Sequence, residues 1–179
     1  MENVNQNKTA LKYKEWIINA FMELLKEYKY SEITIKQITL QADVSRQTFY
    51  RHYKSKDEII QEYSNKVCDE ISEKLLSLED KSIYQITLTY FTFWKSYSDL
   101  LYLVKSSGCE HLLVEHYNEI MLKTLDILRP SMPQYNDEEF ALIKAFLIGG
   151  FYNVKSSWME NNLHTSPEAL AKLICSIIS

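Results

Sequence analysis

Apolar residues recur every three or four positions through most of this chain, the period of helices packed along one face. Between residues 9 and 28, Ile17, Ala20, Phe21, Leu24, Leu25 and Tyr28 form one such stripe. From residue 55 to about 78, Ile60, Tyr63, Val67, Ile71, Leu75 and Leu78 form a second, a long strut that would join two parts of the chain. Further helices are predicted near 82–97, 99–106 and 109–129, and Pro130 and Pro133 mark a loop over 129–135. Asn136 with Glu139 reads as the capping box of a helix reaching about residue 161. That helix carries apolar side chains on more than one face, from Phe140 to Trp158, so it needs cover on several sides. Gly149 and Gly150 in its middle lower helix propensity by about 1 kcal/mol each, which suggests the close approach of another backbone. Thr165 or Ser166 caps the last helix, with Pro167 in its first turn and Leu170, Leu173, Ile174, Ile177 and Ile178 along its apolar face. Three Gly and three Pro in 179 residues fit long uninterrupted helices. The predicted fold is all-α, about nine helices.

The stretch from Ile33 to Glu58 departs from this pattern of long helices. Thr34 and Gln37 form a capping box, flanked by Ile33 and Ile38 at hydrophobic-staple positions. Ser45 starts a second helix, with Val44 and Phe49 as its staple, and Ser55 with Glu58 opens a third. Three start signals this close leave room only for short helices, the dimensions of a helix-turn-helix. Phe49 and Tyr53 can face a small core with Ile38, Ala42 and Val44, which turns Arg46, Gln47 and Tyr50 outward together. A guanidinium fork, an amide and a phenol can read base edges in a major groove. Thr48, Arg51, His52, Lys54 and Lys56 surround them with donors suited to phosphate oxygens. From residue 33 to 56, five basic side chains stand against Asp43 alone, a local charge of +4. A solvated basic face is the plainer reading of such a run, but it leaves the caps and the Arg–Gln–Tyr face unaccounted for.

This segment resembles the DNA-binding domain of the TetR family of transcriptional regulators. The matching residues are Ile38, Ala42, Val44, Ser45, Thr48, Phe49, Tyr50, His52, Tyr53, Lys56, Asp57 and Ile59. The resemblance covers roughly the first third of the chain. It implies base contacts from Arg46, Gln47 and Tyr50, and phosphate contacts from Lys36, Thr48, His52 and Lys56. It also implies a three-helix helix-turn-helix domain over 1–56 and a helical effector-binding and dimerisation domain over 57–179. The family usually has glycine in the turn where this chain has Asp43, a residue that tolerates a left-handed backbone better than most.

Charge sharpens the division. The chain as a whole carries −4, which argues against nucleic acid until it is split. Residues 1–60 hold ten basic and eight acidic side chains, a net +2; residues 61–179 hold ten and sixteen, a net −6. That asymmetry suits a protein of which only one end meets DNA. Lys8, Lys12 and Lys14 at the start of the first helix fit either a phosphate backbone or a merely solvated end. Cys68, Cys109 and Cys175, three in number, widely spaced and without a CxxC pair, read as buried thiols of a cytosolic protein rather than a disulfide or zinc framework. The polar start and the lack of an apolar run of about 18 residues predict neither a secretory signal nor a membrane span.

The second part is dense in aromatic residues. Tyr90, Trp94, Tyr97, Tyr102, His111, Tyr117 and Phe151 are candidates for an effector pocket, since Tyr and Trp pair apolar faces with polar tips; simple core filling is the alternative. His111 and His116, five apart, fall on different helix faces and do not make a metal pair. Leu147, Gly150, Val154, Trp158, Leu170, Leu173, Ile174 and Ile177 on the last two helices are candidates for a dimer interface. A two-fold pair of recognition helices would read a palindromic operator with half-sites about 34–36 Å apart.

The function expected is that of a homodimeric transcriptional regulator, repressing until a small-molecule effector changes its affinity for double-stranded DNA. No cofactor and no metal is called for. Two other classes compete with it. An enzyme using the aromatic cavity lacks a phosphate loop, HExxH, GxSxG or a nucleophile–base pair. A helical adaptor or co-activator without a small-molecule ligand would leave the outward Arg46–Gln47–Tyr50 face idle.

Overall fold

The computed structural model describes the backbone of residues 2–112 and 114–178, and the side chains within it other than those of residues 2–9, 115, 131 and 178. The side chains of Lys8 and Ile178, each assigned above to a helix face, therefore lie outside the described residues. The described residues form nine α-helices and no strand: α1 (Glu2–Glu27), α2 (Ile35–Gln41), α3 (Arg46–His52), α4 (Lys56–Leu76), α5 (Ile83–Ser96), α6 (Ser98–Ser107), α7 (Val114–Thr124), α8 (Asp137–Glu160) and α9 (Pro167–Ile178). Short 3-10 turns lie at Tyr30–Glu32, Glu110–Leu112 and Leu125–Ser131. No helix among the described residues is long and apolar enough to cross a membrane.

The chain divides into two compact units, Met1–Lys66 with Leu103–Val114, and Val67–Tyr102 with Glu115–Ser179. In the first, α1 packs on α2 and α3. Ile17, Phe21 and Leu25 bury their stripe against Ile33, Ile38, Phe49 and Tyr53. Tyr28, expected on that stripe, is exposed because α1 ends at Glu27, one residue before it. Ser107 Oγ donates to the Leu25 carbonyl at 3.2 Å, satisfying one of the carbonyls that a helix end leaves open.

In the second unit α5 packs on α9. Its centre is aromatic: Tyr90, Phe91, Trp94, Tyr117, Phe151 and Trp158 are all buried. Edge-on pairs such as Phe91–Trp158, 5.5 Å between centroids at 85°, are the arrangement that ring quadrupoles favour. The single helix expected over 109–129 is three pieces. Gly108, at φ 75°, closes α6 with paired turn bonds from its own N–H and that of Cys109. Thr124 Oγ1 donates back to the Ile120 carbonyl at 2.9 Å and meets Ser72 Oγ at 2.8 Å, where α7 gives way to 3-10 geometry.

Candidate nucleic-acid interface

The local chemistry of α2 and α3 is the one their residues prescribe. Thr34 accepts from the Gln37 N–H, and Gln37 accepts in return from the Thr34 N–H at 2.8 Å, closing the capping box. Ser45 accepts from the Thr48 N–H at 3.0 Å and meets the Thr48 hydroxyl at 2.9 Å. Between the helices Asp43 takes φ 52°. Its N–H donates to the Leu40 carbonyl and the Val44 N–H to that of Thr39, the double closure that ends a helix in a left-handed residue. Glu58 accepts from the Lys54 N–H at 2.7 Å, one residue ahead of the Ser55 N–H that a capping box would use.

These constraints fix what α3 shows to solvent. Phe49 is fully buried, and Arg46, Gln47 and Tyr50 are exposed, Tyr50 at 56%. Tyr50 leans edge-on against Phe49, 5.5 Å between centroids at 87°, so the core residue orients the outward one. Arg51, Lys54 and Lys36 are exposed as well. Thr48 and His52 are half-buried; the His52 ring lies 6.1 Å from that of Tyr13. Burial, then the neighbouring Lys14 and Arg51 charges, draws the His52 pKa below its ordinary 6.5.

Lys56 is placed otherwise than a free phosphate donor. Its ammonium donates to the carbonyls of Tyr30 and, at 2.9 Å, Ile33, and lies 4.2 Å from the Tyr30 ring centroid. Burial lowers its pKa. Lys14 is similarly engaged, 2.6 Å from Glu62 and over the Tyr53 ring, while Lys12 stays exposed. Burial alone would raise the Glu62 pKa, but hydrogen bonds from Lys14 and Lys66 outweigh it and hold the carboxyl below its ordinary value.

In the second unit, Tyr90, Trp94, Tyr117 and Phe151 come together: the Tyr90 and Tyr117 hydroxyls meet at 2.6 Å, and the Tyr90 and Phe151 rings lie 5.1 Å apart. Tyr97 reaches the edge of this group, its ring 6.5 Å from that of Trp94, and the remaining candidates lie elsewhere. Tyr97 donates to Glu70, Tyr102 is exposed and donates to the Met159 carbonyl at 2.9 Å, and His111 is exposed on a 3-10 turn. Lys155, not singled out in the sequence, is buried with its ammonium 4.2 Å from the Trp94 ring centroid, 4.7 Å from Tyr117 and 4.8 Å from Tyr152. Set between Val154 and Ser156 on a long helix, it reads as an ordinary surface cation.

The dimer candidates also separate. Leu147, Trp158 and Leu170 are buried within the chain, the Trp158 indole donating to the Thr165 carbonyl at 2.7 Å. Gly150, Leu173 and Ile177 are exposed, and Val154 and Ile174 are partly so. Phe146, absent from those candidates, is 69% exposed, with Leu142 beside it one turn earlier. A wholly apolar groove of about 150 Å³ runs between α8 and α9 here, lined by Phe146, Gly150, Val154, Ile174 and Ile177 among others. A Cβ built on Gly149 or Gly150 meets nothing within 4 Å, so no other backbone among the described residues approaches them.

Comparison with known proteins bears on both units. A family model described as bacterial regulatory proteins, tetR family, matches residues 17–63, and one described as transcriptional regulator C-terminal region matches residues 81–179. A TetR transcriptional regulator from Streptococcus agalactiae has a similar structure, with a TM-score of 0.72 at 21% identity over 99% of each chain. The fatty acid degradation regulator FadR from Bacillus halodurans gives 0.63 at 16% identity, over 90% of this chain and 91% of that one. At such identities the likeness is one of fold. The uncharacterized HTH-type transcriptional regulator YxbF of Bacillus subtilis is 34% identical over 70 residues, which are 38% of this chain and 18% of that protein.

Proposed function

This chain belongs to the TetR family of bacterial regulatory proteins, and from that membership we propose a homodimeric DNA-binding repressor whose operator affinity a small-molecule effector changes. The observation that carries the reading is the exposed Arg46–Gln47–Tyr50 face of α3, held outward by the buried Phe49. Those three side chains read bases, and Lys36, Thr48 and His52 hold phosphates. Lys56 acts one step back, fixing the chain that leads into α2. Its DNA-binding part is taken as residues 1–56 and its effector and dimer part as 57–179.

Two further observations support the rest. The exposed apolar face of α8 and α9 is what a second copy would cover, placing two recognition helices on a palindrome. Among the described residues, the buried Thr87 Oγ1 and His116 Nε2 have no hydrogen-bond partner. Such orphans cost about 1–3 kcal/mol each, and an effector with polar groups would satisfy them.

The test is duplex selection from a random pool, followed by titration of the selected site and of random duplex. Arg46→Ala and Gln47→Ala are expected to weaken the selected site by about 1–3 kcal/mol each while changing random binding little. Equal loss on both duplexes would remove the base-reading role.

A further inference from the structure

Asp43 stands at a backbone conformation where glycine is the usual occupant, with φ 52°. The two bonds that close its turn are made by backbone groups, so the turn does not use the carboxylate. That carboxylate is exposed and forms no hydrogen bond or ion pair with any described residue. It is also the only acid between Ile33 and Lys56. A carboxylate repels phosphate, so its role lies apart from the DNA face.

Asp43 lines an open cleft of about 450 Å³ with Trp16, Asn19 and Ala20 of α1 and Gln41 and Ala42 at the end of α2. Trp16 is 49% exposed. The Asn19 and Gln41 amides, like Asp43, have no partner among the described residues. Glu23 at the cleft's edge adds a second carboxylate, partly neutralised by Lys26 at 2.6 Å.

We propose that this cleft docks an arginine side chain of a second protein. A guanidinium is flat and forked: it stacks on an indole face while its N–H groups bond a carboxylate in pairs. The Asn19 and Gln41 oxygens accept the donors left over, and the alanines leave the room. The cleft is open, which suits the end of a side chain presented from a peptide backbone, and arginine is a common anchor of protein interfaces. Because Asp43 lies three residues before Arg46, the docked partner stands beside the duplex that α3 is proposed to read.

The probe is the peptide acetyl-Gly-Arg-Gly-amide, compared with its citrulline counterpart of the same shape without charge. The indole N–H resonance of Trp16 reports binding to the full-length protein by NMR. The arginine peptide is expected to shift it saturably, with the citrulline peptide weaker by at least about fivefold. Asp43→Asn keeps the left-handed turn and removes only the charge, and the same fivefold loss is expected, with affinity for the selected duplex unchanged within about twofold. No shift, equal response to the two peptides, or an undiminished response in Asp43→Asn would overturn the docking site. Loss of duplex affinity in Asp43→Asn would do so too, by placing the carboxylate in the DNA surface, and would leave the regulator reading intact. Arginine-selective binding by a protein that binds no duplex would sink the regulator reading and keep the cleft.

Discussion

Lys56, expected at a phosphate, is a side chain that its own chain holds in place. Its ammonium bridges the Tyr30 and Ile33 carbonyls just ahead of α2, over the face of the Tyr30 ring. Lys56→Met keeps the apolar stem and removes the donors, leaving two partly buried carbonyls short. A loss of about 1–2 kcal/mol in urea unfolding, with unchanged m, is the expected outcome. Thr34, Ser45 and Asn136 were all legible as caps because each relation closes within three residues. The ends of Lys56 and Lys14 were not, because their partners lie 26 and 48 positions away along the chain. Titration belongs to the same scale. The His52 and Glu62 pKa values both lie below their ordinary 6.5 and 4.5, so the folded state binds fewer protons than the unfolded one. Stability is therefore complete above those values and falls as pH drops through the folded ones. Glu62→Gln should flatten the lower part of that fall in thermal melts recorded from pH 6 to 3; an unchanged slope would free Glu62 of the role.

At the scale of the element, α8 carries the clearest conflict between propensity and structure. Two adjacent glycines weaken a 24-residue helix, yet neither is pressed by anything among the described residues. Gly150→Ala should therefore stabilise the isolated chain by about 1 kcal/mol. Gly150→Leu, in the apolar groove, should fold equally well but block the pairing of two copies, seen as a halved mass by light scattering. A dimeric Gly150→Leu protein would move the interface elsewhere. The helical period in the sequence located α8 and α9, since both repeat their apolar positions over several turns. It could not say which apolar residues face inward. Leu147 and Phe146 are neighbours of similar hydrophobicity; one is buried and the other is 69% exposed. The aromatic candidates sort for the same reason: Tyr90 and Tyr117 share a hydrogen bond in the core, while Tyr102 lies at the surface.

For the whole molecule, the sign of the charge and the exposure of apolar surface govern different behaviours. Residues 1–60 carry +2 and the remainder −6, so duplex binding should weaken with added salt although the protein as a whole is anionic. The apolar face has a separate effect. Leu142, Phe146, Leu173 and Ile177 are each more than half exposed, on the order of 500 Å² of apolar surface per chain. Two copies would then cover roughly 1,000 Å², the size a specific interface has to reach. A surface of that kind ties thermal stability to mass action. Each tenfold dilution should lower the melting temperature as pairs separate and α9 loses its outer cover, and a melting point indifferent to dilution would mean that the lone chain is the working form.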